Sequence, residues 1–210
     1  MDHRSHRPAA KAAARQAAAS TTTEAQDVRA RILETASNLF YAQGVRAVGV
    51  DLVVDRAGVA KTSLYRHFRT KDELIVAFLE REEADFWSTW DEVAAKHAAN
   101  AAKELDAHMR WIGERLARSN YRGCPQINAA AEFPEPDHPS RLVARAHMHE
   151  LRARLASIAQ RIGVSRPDTV GAQLAVLVNG AFVSAELLAP EEAVAVLLAS
   201  ARALIEAARK

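Results

Sequence analysis

The sequence predicts an all-α fold. Apolar residues recur at three- and four-residue steps in nearly every segment after about residue 28. Alanine is abundant and β-branched residues do not dominate, which favours helix. No segment alternates apolar and polar residues with the two-residue period of a strand. The 8 glycines and 7 prolines are few, and most of them fall where helices should end. With 49% hydrophobic residues in 210, the chain can bury a sizeable core, and about nine helices are expected.

Residues 1–27 are rich in Ala, Arg, His and Thr and lack apolar periodicity, so they are expected to be a disordered tail. Arg4, Arg7, Lys11 and Arg15 would let that tail add phosphate contacts, but a loose extension without a dedicated role is the favoured reading, because termini are usually disordered. From Val28, the residues Ile32, Leu33, Ala36, Leu39 and Phe40 mark a helix that Gly44 ends. A short helix is predicted from about Val50 to Arg56, a turn at Ala57-Gly58-Val59, and a second short helix from Lys61 to His67. A long helix over about 71–97 opens with Asp72 and Glu73, which suit its dipole, and buries a stripe that includes Leu74, Ile75, Phe78, Leu79, Phe86, Trp90 and Val93. Further helices are expected at 104–118, 126–132, 139–162, 168–188 and 191–208, with Gly123, Pro125, Pro134, Pro136, Pro139, Gly163, Pro167 and Pro190 as punctuation. The expected division is a tail at 1–27, a small domain at 28–72 and a larger helical domain at 73–210.

The net charge of +2 hides an asymmetry. Residues 28–71 hold eight Lys/Arg against three acids, a balance of +5, whereas 72–210 carry −4. A basic front on an acidic body suits a chain that offers one face to a polyanion. The single cysteine, Cys124, rules out an intramolecular disulfide. There is no apolar run long enough for a membrane span and no secretory leader, so a cytoplasmic protein without membrane contact is expected. Gly-x-Ser-x-Gly, phosphate-loop and His-Glu-x-x-His motifs are lacking, so no enzyme and no cofactor are expected. Cys124 with Glu132, Asp137, His138, His147 and His149 lacks metal-ligand spacing.

The strongest signal lies at 48–67. A helix-turn-helix needs two short helices locked at a fixed angle by a tight turn. Val53, Val54, Ala57, Val59 and Leu64 are placed to lock them, and Gly58 sits at the turn. The second helix opens with Lys61, Thr62 and Ser63, which can reach base edges or phosphates, and Tyr65 and His67 extend along the groove. Lys71, at the next helix start, is placed to grip a phosphate.

The run from Ile32 to Leu74 resembles the N-terminal domain of TetR-type transcriptional regulators. The resemblance rests on Leu-Phe-x-x-x-Gly, then Ala-Gly-Val, then Leu-Tyr-x-His-Phe, then Lys-x-Glu-Leu. It implies that Tyr65 and Lys71 bind phosphates, that Lys61, Thr62, Ser63 and His67 face the groove, and that Leu64 and Phe68 are core. Val50, at the start of the first motif helix, joins the expected DNA-binding set. Gly49 departs from the family, which usually has Thr there, and Asp51 would repel a phosphate. The stretch 122–141 also resembles a segment found in a subset of these regulators.

For the second half the resemblance implies a small-molecule pocket between the long helices. Trp87, Trp90, His108, Met109, Trp111, Ile112, Ile127, Asn128 and Phe133 are its candidates, although aromatic residues at helical spacing also simply pack. One stripe of Leu174, Leu177, Val178, Ala181, Ala185 and Leu188, with Gly180 and Ser184 beside it, reads as a pairing surface. A second stripe includes Val194, Leu197, Leu198, Ala201, Leu204 and Ile205. Two such helices from each subunit would form a four-helix bundle across a two-fold axis, giving a homodimer and a palindromic operator in double-stranded DNA. The expected function is a repressor released when a small-molecule effector shifts the helix at 71–97. The alternatives are an activator of the same fold, or a ligand-binding or scaffolding dimer that no longer binds an operator.

Overall fold

The computed structural model describes residues 26–209, so the phosphate contacts considered for the N-terminal tail lie outside the described residues. Nine α-helices and one short 3-10 turn make up those residues, with no strand among them. They form two compact units, one ending at Phe78 and the other starting at Leu79. The division falls inside a helix rather than at its start, because Leu74, Ile75 and Phe78 are buried with the N-terminal core.

In the N-terminal unit, α1 is described over 26–43, followed by α2 (Val50–Ala57), α3 (Lys61–His67) and the start of α4 (Lys71–Lys96). Ile32, Ala36 and Phe40 of α1 repeat every three or four residues and are buried together with Val53, Leu64 and Phe68. Phe40 meets Phe78 edge to face, with ring centroids 5.7 Å apart. The Thr70 hydroxyl accepts from Glu73 N–H at 3.1 Å, while the Glu73 carboxylate accepts from Arg69 N–H at 2.7 Å. The Thr70 oxygen thus caps the helix while Glu73 reaches one residue further back, to Arg69, and together they set where α4 begins.

The C-terminal unit holds the rest of α4 with α5 (Ala101–Leu116), α6 (Pro125–Glu132), α7 (Pro139–Ile162), α8 (Pro167–Val183), a 3-10 turn (Ala185–Leu187) and α9 (Pro190–Ala208). Helix α5 starts earlier than the sequence pattern predicts, because the Asn100 side chain accepts from Lys103 N–H at 3.0 Å and caps it. Helix α8 ends earlier, giving way to the 3-10 turn before Pro190 opens α9.

Small residues let helices close up in this unit. A Cβ on Gly171 of α8 would lie 2.6 Å from the Ala156 backbone of α7, and one on Gly113 of α5 would lie 2.7 Å from Val194 Cα of α9. Paired charges tie the helices at their rims. Arg161 of α7 grips the buried Glu104 of α5 through two bonds of 2.6 and 2.7 Å, and Arg202 of α9 holds Asp106 of α5 at 2.7 and 3.0 Å. Among the described residues no helix is long and apolar enough to cross a membrane.

Candidate nucleic-acid interface and effector cavity

The turn between α2 and α3 is built as its residues require. Gly58 adopts φ 62° and ψ 42°, a left-handed conformation that side chains with a Cβ disfavour. Its N–H donates to Asp55 O and the Val59 N–H donates to Val54 O, both at 3.2 Å, which closes α2. Leu64 and Phe68 are inserted into the core and fix the roll of α3. That roll leaves Lys61, Thr62, Tyr65 and Arg66 exposed, with Ser63 and His67 half-buried; Val50, at the start of α2, is also half-buried. Tyr65 keeps 42% of its surface in solvent, a large exposure for an aromatic residue that packing could have covered.

Two features of this face are not readable from spacing. Lys61 Nζ lies 2.6 Å from the Asp51 carboxylate across the α2–α3 corner, and this partner holds the ammonium pKa above its usual value. Lys71 Nζ donates to Arg46 O at 3.1 Å and ties the start of α4 to the loop before α2. Arg66 belongs to the exposed face although the motif did not single it out; its position directly after Tyr65 was the available signal. Gly49 caps α2 without any side-chain bond, as expected for a residue that stands where a threonine oxygen would accept one from a first-turn N–H.

The C-terminal unit contains a small cavity of about 10 Å³, room for the centre of one water molecule, with the half-buried Glu82 and Arg115 in its lining. Glu82 and Phe86 of α4, Arg115 of α5 and His147 of α7 line one part. Cys124, Pro125 and Gln126 at the start of α6, with Phe182 of α8, complete it. Gln126 Nε2 donates to Leu79 O at 2.9 Å, while its buried Oε1 and the buried His147 Nδ1 have no hydrogen-bond partner. Burial lowers the His147 pKa to about 4 and raises those of Glu82 and of the Cys124 thiol. The ring is therefore neutral near pH 7 and the thiol is not an anion.

None of the nine pocket candidates taken from the sequence lines this cavity. Trp90, His108, Met109 and Ile112 are packed into the core, with Trp90 stacked on His108 at 3.7 Å. Trp87 and Trp111 pack against the same core and flank Phe86, each with ring centroids 4.9 Å from it. Phe133 stacks on His138 at 3.7 Å. Ile127 and Asn128 line a separate open groove of about 520 Å³, whose walls also include Arg118, Tyr121 and Val183. Phe182 is a wall of both spaces.

The residues of the expected pairing stripe divide between buried and half-buried positions. Leu174, Val178, Leu197 and Ala201 are buried in their own subunit, and Leu177, Ala181, Ala185, Leu188 and Leu204 pack partly buried against the same core. Helix α8 is apolar nearly all round, so periodicity could not say which side turns inward. The outward side carries Val176, Val183 and Leu187, 73%, 70% and 79% exposed, around an uncovered Gly180, and Val196 is exposed on α9.

Two short helices joined by a tight glycine turn and held by a shared core, with a basic and polar outer face on the second, are the arrangement of a helix-turn-helix DNA-binding protein. The family model described as bacterial regulatory proteins, tetR family, matches residues 32–78. The chain is 30% identical over 134 residues to the HTH-type transcriptional regulator Mb3439c of Mycobacterium bovis, a match covering 64% of this chain and 68% of that protein. Over 53 residues it is 47% identical to the HTH-type transcriptional activator FasR of Mycolicibacterium smegmatis, covering 25% of this chain and only 24% of FasR. The crystal structure of SCO4454, a TetR-family transcriptional regulator from Streptomyces coelicolor, superposes with a TM-score of 0.83 at 29% identity, over 88% of this chain and 97% of that one. The chain belongs to the TetR family: it is a DNA-binding transcriptional regulator and not an enzyme.

Proposed function

We propose that the chain is a homodimeric repressor that holds a palindromic operator through α3 of each subunit and releases it when a small molecule enters the C-terminal unit. The observation that carries this reading is the roll of α3. Leu64 and Phe68 are buried while Lys61, Thr62, Tyr65 and Arg66 face solvent. Lys61, Thr62 and Ser63 suit base edges or phosphates, Tyr65, His67 and Lys71 suit the flanking phosphates, and Val50 approaches at the start of α2. The apolar stripe of Val176, Val183 and Leu187 supports pairing, because soluble monomers rarely leave such a stripe in water. Two-fold pairing presents two copies of α3 and makes the operator palindromic. Release requires an effector that binds the DNA-free arrangement more tightly, with a coupling of about 1–3 kcal/mol.

A mobility-shift assay on the DNA upstream of its own gene tests the proposal. The chain should bind specifically, and the combined Lys61→Ala, Tyr65→Phe, Lys71→Ala variant should lose at least about a hundredfold in affinity while staying dimeric, given roughly 1–3 kcal/mol per good contact. Val183→Glu should give a monomer by light scattering and lose the specific complex. Retained binding by the triple variant, or an intact monomer that binds as well as the parent, refutes the reading. FasR is named an activator, so the sign of regulation is read from a deletion strain: the target transcript rises for a repressor and falls for an activator.

A further inference from the structure

The start of α6 is a partition. Cys124, Pro125 and Gln126 line the small cavity, whereas Gly123, Ile127 and Asn128 line the larger groove, and Phe182 borders both. Gln126 is 2% exposed. Its carboxamide cannot be reversed, because Leu79 O only accepts and must face the Nε2 donor, at 2.9 Å. Gln126 lines the cavity, and its Oε1 is thereby held as a buried acceptor to which no protein group donates. A buried acceptor without a donor is unfavourable, so the site discriminates for a molecule that supplies one. The other walls agree. Phe86 and Phe182 are flat apolar surfaces with ring centroids 6.5 Å apart, and Glu82 adds a second oxygen acceptor beside the single cation, Arg115.

We propose that the effector of this chain is a compact aromatic molecule bearing an N–H or O–H donor, which enters from the groove past Phe182 and donates to Gln126 Oε1. This rests on the reading of the C-terminal unit as a ligand sensor, and it adds the chemistry that the sensor reads. The cavity of about 10 Å³ admits no ring as it stands, so Phe182 must swing to join it to the groove of about 520 Å³, a volume in the range of ligand sites. The same carboxamide holds the Leu79 carbonyl, so a ligand pulling on Oε1 acts on α4, the helix that begins at Lys71.

The test uses the full chain and three probes of one shape: phenol, which donates; anisole, which carries the oxygen without the hydrogen; and toluene, which carries neither. Calorimetric titration should show phenol binding about tenfold tighter than anisole or toluene. Gln126→Met, which keeps the length and removes the acceptor, should bring phenol down to the level of toluene and leave toluene unchanged. The comparison of phenol with anisole on the parent protein stands even if that variant folds poorly. Equal binding of phenol and anisole overturns the donor requirement and leaves a ligand sensor in place. Binding of none of the three at millimolar concentration, as expected if the cavity holds water only, overturns the site. The mobility shift on the same preparation scores the DNA-binding reading separately.

Discussion

Replacing His108 with Phe should flatten the acid limb of the stability profile. His108 is fully buried on α5, stacked on Trp90 of α4 at 3.7 Å, and neither ring nitrogen has a hydrogen-bond partner. Burial is the main cause that lowers its pKa to about 4, and His97, Arg154 and Arg161 act in the same direction; Glu104, 3.9 Å from Nε2, opposes them. The unfolded chain takes up this proton near pH 6.5, whereas the folded chain resists it until about pH 4. Stability from the neutral ring is therefore full above pH 6.5 and is lost as pH falls towards 4. A gap of about 2.5 pKa units corresponds to about 3 kcal/mol over the whole window. About 2 kcal/mol of that falls between pH 7 and pH 4.5. Phe keeps a flat ring over Trp90 and carries no proton. Urea unfolding at both pH values should show the variant losing about 2 kcal/mol less than the parent on acidification. Comparing the two losses cancels any packing change from the larger ring, which is the same at both pH values. Equal losses in the two proteins would mean that the folded state accommodates the charged ring, and the burial argument would fail.

Gly171→Ala should destabilise the C-terminal unit. Its new Cβ would meet Ala156 backbone atoms at 2.6 Å where carbon atoms settle at about 3.5–4 Å, so α7 and α8 must part at a cost of about 1–3 kcal/mol. Differential scanning should show a Tm lower by several degrees, and an unchanged Tm would contradict the close contact. Asp51→Asn should release Lys61 from its 2.6 Å ion pair and strengthen binding to random DNA more than to the operator. The plot of log affinity against log salt should steepen by about one unit per subunit; an unchanged slope would show that Lys61 meets no phosphate.

Much of the DNA-reading unit was legible because its determinants are local. The step of Ile32, Ala36 and Phe40, the glycine at 58, and the burial of Leu64 and Phe68 are set by helical period and turn chemistry within a short stretch of chain. The ion pair of Asp51 with Lys61 was not legible, since it depends on the angle at which two helices meet. Asp51 stood out in the sequence as a charge that would repel a phosphate, and the structure gives it a partner as well. The small cavity beside Gln126 was harder still. Helical spacing could not separate Trp90, which is sealed in the core, from Ile127 and Asn128, which line the groove, nor point to Gln126, whose significance lies in a bond to Leu79, 47 residues away.

By itself the sequence determined which segments are helices and, within a few residues, where most of them break, and which short helix carries the cations and hydroxyls suited to a polyanion. Those properties follow from hydrogen bonds and side-chain periods spanning only a few residues. Tertiary structure alone decided which side of the uniformly apolar α8 turns inward, leaving Val176, Val183 and Leu187 in solvent. It alone left Gln126 Oε1 without a donor and brought five helices around the cavity that Gln126 lines. Burial is a property of distant segments meeting, and no local pattern encodes which of several apolar faces finds a neighbour.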